Sequence, residues 1–307
     1  MTEAWAGFAF GTAVLVAGTI WLGRLIGDAA AGAGWLVRGP VAHAAAGATA
    51  VLAVSLTASL RGSPGVALGS VLGSVVATIA LGLGIAAAGR PLRGSLPLLW
   101  RQLPSMMAAA GLVWFLSGDG RLSEGNGAVL VAAFAMWAVF SARPIRTVTR
   151  EEPSVTSRPV TRPLISLAVL VVAGGAVLLV SHGLDLQALL GLSEWRTGLT
   201  LVAAAVAAPT IVIIVRAGWV GDGDAALATT AFVNTTVMLL VLGIVCVVRP
   251  FALRDPAAFR ELPALGLSTV FLLPALLQGL RVSRYEGLAW VAAYAALVGW
   301  QLGAFGG

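Results

Sequence analysis

Reactive side chains are scarce in this chain. Its 307 residues include two histidines (His43 and His182), one cysteine (Cys246), thirteen carboxylates, nineteen arginines and no lysine. Two histidines leave little room for a histidine-based metal centre. A lone cysteine excludes a disulfide framework and any multi-cysteine metal site. A phosphate-cradling glycine loop of the kind that needs lysine is excluded as well. No acid, base and nucleophile can be assembled within the apolar runs, so an enzyme is not expected and no cofactor is implied. The chemistry that remains is polar and uncharged. Ser70, Ser74 and Thr78 recur at i, i+4 and i+8, which places them on one stripe of a helix. Asn234 lies in another apolar run, and an amide is costly to bury because it needs several partners. Such oxygens can hold a weakly hydrated monovalent ion or a proton-carrying water chain. They supply no fixed negative charge.

The elements that position these residues follow from composition. Of the chain, 59% is apolar and only 10% charged, against about a quarter charged in soluble domains. So few charges cannot cover a water-soluble globule, and so much apolar surface excludes disorder. A net charge of +6 and a pI near 11.1 invite a nucleic-acid reading. The arginines sit between apolar runs and form no patch, so no nucleic-acid partner is expected. They punctuate ten uncharged windows of 17 to 28 residues, the first between Glu3 and Arg24 and the last from Glu286 to the end. A bilayer core of roughly 30 Å is crossed by about 20 apolar residues as helix. The spacing predicts an all-α polytopic membrane protein with ten transmembrane helices. The first window is too long for a signal-peptide core and lacks a positive leading segment, so it reads as a retained helix.

Orientation follows from the arginines. With the N-terminus outside, thirteen lie in cytoplasmic loops and six in outer loops, which the positive-inside rule favours. Ten spans return the C-terminus outside. The expected location is the cell (plasma) membrane, with the lipid bilayer as partner. Residues 143–162, with Glu151, Glu152 and three prolines, read as a flexible cytoplasmic linker between two halves.

The halves resemble each other. Leu83-Gly84-Ile85 and Arg90-Pro91 recur as Leu242-Gly243-Ile244 and Arg249-Pro250, an offset of 159. Leu103-Pro104 and Gly39 recur at the same offset as Leu262-Pro263 and Gly198, while Arg121, Ser123 and Gly127 recur at 160 as Arg281, Ser283 and Gly287. Leu, Gly and Ala are common enough here to match by accident, but two Arg-Pro pairs are not. Each half holds five spans, an odd number, so the second enters the membrane inverted. The predicted organisation is a five-helix repeat over 1–142, the linker over 143–162, and an inverted five-helix repeat over 163–307.

At this point the residues resemble a family. Ala53 to Gly62, followed by Ala67-Leu68-Gly69-Ser70-Val71-Leu72-Gly73-Ser74, resembles the first alpha-repeat of the calcium/cation antiporter superfamily, in its bacterial sodium/calcium exchanger branch. Gly191 to Trp195 and Gly198 to Ala203 resemble the lead-in to the second repeat. Val282 to Gly287 and Asp119 to Ser123 resemble the turns before the last helix of each half. The resemblance runs from about Gly32 onward. It implies two inverted halves and a cation site at mid-membrane, made from one acidic residue per repeat and neighbouring Asn, Ser and Thr oxygens.

The departures fall on that site. Ala46-Gly47-Ala48-Thr49-Ala50-Val51 stands where the family reads G-T-S-x-P-E, so Val51 takes the Glu position. In the second half Pro209 keeps the proline and Thr210 takes the Glu position. The following motif leaves Ser70, Ser74 and Thr78 in the first half, and Thr229 and Asn234 in the second. Calcium takes six to eight oxygens, usually including carboxylates, and a buried divalent charge without a counter-charge is very costly. Every acidic residue falls in or at the edge of a polar loop. Calcium exchange at the family's usual site is therefore not expected. The reading is a secondary transporter, a cation antiporter of altered selectivity for a monovalent cation or a proton. Its candidate ligands are Thr49, Ser70, Ser74, Thr78, Thr210, Thr229 and Asn234. The alternative is a transport-inactive member acting as a membrane scaffold or regulatory subunit.

Plainer roles stand beside these. Hydroxyls in membrane helices usually bond back to the carbonyl four residues earlier, the role expected of Ser55, Thr57, Ser59, Thr235 and Thr236. His43 lies one turn into the second span, where an intramembrane histidine is a functional candidate; a neutral ring bonded to a backbone carbonyl is favoured. Pro209 is expected to free carbonyls in the seventh span. Asp222 and Asp224 are expected to cap the eighth. Trp5, Trp21, Trp35, Trp100, Trp195 and Trp219 fall near span ends and read as an interfacial belt.

Overall fold

The computed structural model describes residues 1–31, 38–141, 162–252 and 281–303. Nearly all of them are helical. Helix α1 covers Thr2–Ala31 and α2 covers Arg38–Leu60. Helix α3 (Pro64–Ala77) continues through a π-helical stretch, Thr78–Leu83, into α4 (Gly84–Gly89). After α5 (Leu96–Leu116) and α6 (Glu124–Ser141) comes α7 (Arg162–Leu190). The short α8 (Glu194–Thr197) runs through a π-helical stretch, Gly198–Val202, into α9 (Ala203–Val220). Helix α10 (Gly223–Thr236) does the same through Val237–Val241 into α11 (Leu242–Val248), and α12 covers Arg284–Gln301.

Seven helical stretches among the described residues are long and apolar enough to cross a membrane: Thr2–Ala30, Gly39–Leu60, Pro64–Gly89, Glu124–Ser141, Arg162–Leu190, Glu194–Val220 and Gly223–Val248. The expected count of ten is thus met in seven. The fourth and tenth windows fall on α5 and α12, which are helical but outside those seven. The ninth window, 261–281, and almost all of the 143–162 linker lie outside the described residues.

Local chemistry sets the helix ends. Pro64 opens α3 with its ring at the first turn, where a missing N–H costs nothing. Asp222 accepts from the Ala225 N–H at 2.9 Å and caps α10, as its position predicts. Asp224 instead accepts from the backbone N–H of Ser95, at the start of α5, at 2.5 Å. Ser283 and Glu286 form a reciprocal capping box on α12. Gly221, at φ 92°, ends α9 in the left-handed region that a side chain would disfavour.

The core is built around α2, α3, α9 and α10. Helix α3 is buried from Val66 to Ala77 and α10 from Ala226 to Thr236. The second span packs against the seventh and the third against the eighth. The more extensive packing, however, joins α2 to α10 and α3 to α8 and α9. Glycines explain the closeness. Added methyl groups at Gly69 and Gly73 would stand 2.8 and 2.6 Å from backbone atoms of Leu199. Gly65, Gly73 and Gly82 meet Glu194, Ala203 and Ile214 in turn, so Pro64–Gly89 and Glu194–Val220 run in the same direction. At the periphery, Gly7, Gly11 and Gly18 of α1 meet His182, Leu179 and Val172 of α7, an antiparallel order. Small residues let such backbones approach where lipid offers no hydrophobic drive between helices.

Contacts recur in exchanged pairs. Strand β1 (Leu92–Arg93) pairs with β4 (Arg281–Val282), and β2 (Arg121–Leu122) pairs with β3 (Phe251–Ala252). A methyl group at Gly287 would meet the Gly84 carbonyl at 2.6 Å, and one at Gly127 would meet the Gly243 carbonyl at 2.7 Å. The Arg90 guanidinium donates to the Trp219 carbonyl at 3.4 Å, and the Arg249 guanidinium to the Ser59 carbonyl. In each case the second contact is the first with both residues shifted by 159 or 160 and the halves swapped.

Candidate functional site

The polar residues singled out from the sequence converge on the four central helices. Ser70, Ser74, Thr78, Thr210, Thr229 and Asn234 are all buried, none more than 3% exposed. Thr49 is half-buried and stands apart. Its neighbour Gly47 faces inward, where an added methyl group would be 2.8 Å from the Thr210 hydroxyl and 3.7 Å from the Val233 side chain. Two residues further along a helix is about 200° around it, so Thr49 points away from that contact. Val51, one turn on from Gly47, lies on the inward face and is 3% exposed.

Most hydroxyls of the stripe are already engaged. Ser70 donates to the Ala67 carbonyl at 2.8 Å, Ser74 to Val71 at 2.7 Å, and Thr78 to Ser74 at 2.5 Å. Thr49 donates to Ala45 at 2.8 Å. Each bond uses the hydroxyl proton and leaves lone pairs on the oxygen. The plainer roles hold for Ser55, Thr57 and Thr236, which bond back to Val51, Ala53 and Phe232. Ser59 and Thr235 depart from them, because their buried hydroxyls have no hydrogen-bond partner.

Asn234 is completely buried. Its Nδ2 donates to the Val75 carbonyl of α3 at 3.4 Å, while its Oδ1 has no partner. Asn234 and Val75 are 159 residues apart, the repeat offset, so the amide reaches the residue that matches its own place in the other half. An unpaired buried carbonyl costs about 1–3 kcal/mol. It is also an oxygen free to meet a cation or water.

Electrostatically the centre is bare. No acidic side chain is among the buried polar residues described, and no group of three metal-ligating side chains exists among the described residues. Glu194 approaches the core only at its edge, where it accepts from the Gly65 N–H at 2.9 Å. Sequence reasoning missed that role because the two residues are 129 positions apart. It also missed the three π-helical stretches. Two of these, starting at Thr78 and Val237, occupy matching places in the halves, and π-bulges are frequent at functional sites. Helix α9 passes through Pro209 with the helix intact on both sides.

Two other expectations resolve here. The His43 Nδ1 lies 2.6 Å from the Gly39 carbonyl, so the ring donates from Nδ1 to its own helix. Trp195 is no interfacial anchor. It is 2% exposed, among the largest fully buried side chains, because α8 is packed against α3. Trp5 and Trp219 are 43% and 56% exposed, as a belt requires.

The architecture has known counterparts. The H+/Ca2+ exchanger CAX superposes with a TM-score of 0.79 at 14% identity, over 98% of this chain and 85% of the other. The sodium-calcium exchanger NCX_Mj gives 0.70 at 20% identity, over 96% and 97%. The fold is thus that of integral membrane cation exchangers. The profile of the sodium/calcium exchanger protein family matches residues 3–143 and again 163–303, and the chain belongs to that family. Inner membrane protein YrbG of Escherichia coli (strain K12) is 26% identical over 220 residues, 68% of this chain and 67% of that protein. The family is one of membrane cation antiporters, and the chain, as a member, is not an enzyme.

Proposed function

We propose that this chain is a secondary transporter that exchanges cations with altered selectivity, favouring a monovalent cation or a proton over calcium. The observation that carries the proposal is the centre of α2, α3, α9 and α10. Val51 and Thr210 occupy the positions that resemble the family's glutamates, and the other candidate polar residues of the central helices, Ser70, Ser74, Thr78, Thr229 and Asn234, are buried too. Thr49 completes the candidate set but turns outward in the described conformation. Hydroxyls and one amide can replace part of the hydration shell of a singly charged ion. They cannot offset the desolvation of a divalent one.

The proposal includes the architecture. Residues 1–142 and 163–307 are read as two inverted five-helix repeats joined by a cytoplasmic linker over 143–162, with both termini outside, in the plasma membrane. The exchanged contacts support this, since a two-fold relation between the halves generates them in pairs. The two separate matches of one family profile support it as well. So does direction: the parallel run of Pro64–Gly89 and Glu194–Val220 needs an odd number of crossings between them, and α5, α6 and α7 supply three.

A second reading has its own observation. Four of the candidate hydroxyls donate within their own helices, as they would in a member that scaffolds or regulates without transporting. Flux in proteoliposomes against sodium, potassium, calcium and proton gradients separates the two. Flux driven by a monovalent gradient is expected. Calcium-dependent flux at micromolar concentration refutes the altered selectivity, and no flux under any gradient favours the scaffold.

A further inference from the structure

The two short antiparallel ribbons are one frame used twice. Strand β1 (Leu92–Arg93) pairs with β4 (Arg281–Val282), and β3 (Phe251–Ala252) pairs with β2 (Arg121–Leu122). The repeat offsets of 159 and 160 carry the first ribbon onto the second. The frame is kept, but the charge is not. In the first ribbon Arg93 stands directly opposite Arg281. In the second, the same register sets Arg121 opposite Ala252. Two residues further along, the register sets Arg90 against Arg284 in the first and Arg249 against Glu124 in the second. The first frame thus carries four arginines, a formal charge of +4, and the second two arginines and a glutamate, +1. The second ribbon pairs without the doubled arginine, so folding does not require it.

Directly opposed residues of an antiparallel pair share one face, with Cβ atoms about 4.5–5.5 Å apart. Leu92 and Val282 are buried, and Arg93 and Arg281 are exposed. Both guanidiniums therefore leave the ribbon on its open face. Like charges so placed are destabilising. Neither arginine forms an ion pair among the described residues. The acids of adjoining segments are committed to backbone N–H groups: Asp224 to Ser95, Asp222 to Ala225 and Glu286 to Ser283. Two guanidiniums on one face suit an anion with several oxygens. A phosphate accepts paired N–H bonds from the arginine fork.

The position of the ribbon favours a phosphate carried by a lipid. Helix α6 leaves the β2–β3 ribbon and crosses to the other face, so β1 and β4 lie at the face where α6 ends and α7 begins. Trp219, whose carbonyl accepts from Arg90, and Tyr285, next to Arg284, are exposed, as aromatic side chains at headgroup level are. Leu288, one turn into α12 from Arg284, is exposed as well. Apolar surface therefore continues from the arginines along the helix. A phospholipid uses both surfaces, and a free phosphate uses only the first.

We propose that Arg93 and Arg281 hold the phosphate of an anionic phospholipid, with Arg90 and Arg284 adding positive charge at the next register position and the acyl chains lying along α12. The lipid bridges the halves, because β1 belongs to one and β4 to the other. Arg90 spends one N–H on the Trp219 carbonyl at 3.4 Å and keeps the others of its five donors. Orientation in the membrane decides only which leaflet supplies the lipid. The inference is independent of which ion is carried and of whether any is.

Native mass spectrometry of the full chain in neutral detergent tests it, by titration with phosphatidylglycerol, phosphatidylcholine and inorganic phosphate. Neither flux nor sidedness enters, so failure here leaves the transport reading untouched. An arginine near an anionic headgroup is worth about fivefold in affinity. Phosphatidylglycerol should bind at least about tenfold tighter than phosphatidylcholine. Arg93→Gln combined with Arg281→Gln should weaken it about 25-fold, and Arg121→Gln in the other ribbon should leave it unchanged. Inorganic phosphate in large excess should not displace the lipid; displacement assigns the arginines to a soluble anion and overturns the proposal. Equal binding of the two lipids overturns it too. So does unchanged affinity in the double variant, which leaves these arginines with membrane orientation alone. If the double variant fails to fold, Arg93→Glu takes its place. It gives Arg281 a partner across the ribbon and should remove the preference for anionic lipid with folding retained.

Discussion

At the scale of single residues, the chain separates burial from charge. A polar centre in a membrane normally marks an ion path because the groups there are too costly to keep otherwise. Here that centre retains an amide with one unmet oxygen, Asn234 Oδ1, and a set of hydroxyls with spare lone pairs. Replacing Asn234 with alanine removes the only described amide reaching across from α10 to α3. Asn234→Ala should lower monovalent flux by about tenfold, the loss expected for one polar contact of about 1.4 kcal/mol. Ser74→Ala should lower it less, since the hydroxyl it removes is already engaged as a donor to the Val71 carbonyl. Flux and ion preference unchanged in both, with the protein folded, would move the site elsewhere. The missing carboxylates make a second residue-scale statement. Calorimetry on the purified protein should detect no micromolar calcium binding, because Val51 and Thr210 contribute no charge. A clear calcium isotherm would mean that an edge carboxylate such as Asp222 or Asp224 turns inward.

At the scale of elements, glycine placement decides which helices can touch. Gly73 of α3 is backed by the Leu199 carbonyl and the Ala203 Cβ, both 2.6 Å from where a methyl group would go. Neither neighbour is a flexible side-chain tip, so the helices themselves would have to part. Gly73→Ala should destabilise the protein by about 1–3 kcal/mol, the cost of overpacking. Gly111 of α5 meets nothing within 4 Å. Gly111→Ala should be neutral or stabilise by up to about 1 kcal/mol, since glycine in a helix interior is unfavourable. Thermal unfolding in detergent compares the two directly, and equal effects would contradict the packing described. The capping box on α12 gives a third comparison. Ser283→Ala should cost about 1 kcal/mol and loosen the start of that helix, which fluorescence of nearby Trp290 can report.

At the scale of the whole molecule, the exchanged contacts tie the halves into one unit. The α1 and α7 pair and the α3 and α9 pair run in opposite and equal senses respectively, which an odd number of spans per half produces without further assumption. The orientation of that unit in the membrane is set by arginine. Cysteines introduced between 143 and 162 should react with impermeant reagents only from the cytoplasmic side. Labelling from outside would reverse the topology, and labelling from both sides would break the single orientation that the split of thirteen to six arginines implies.

The sequence by itself determined the membrane class and seven of the span windows, and it suggested the two-fold relation of the halves. These depend on hydrophobicity, charge spacing and repeats, which are properties of composition along the chain. It also marked the residues at the centre, since Ser70, Ser74, Thr78, Thr210, Thr229 and Asn234 are all buried there. Tertiary structure alone decided which helices lean most closely on which. Packing depends on backbone approach between residues over a hundred positions apart, as with Gly69 and Leu199. It turned Thr49 outward, because a two-residue step carries a side chain to the far side of a helix. It also buried Trp195, which the span-end position had assigned to the lipid interface. The Asn234 amide, the Arg90 and Arg249 contacts and the Glu194 cap belong to the same group. Each is a polar contact between halves, and nothing in the local sequence specifies a partner that only folding brings near.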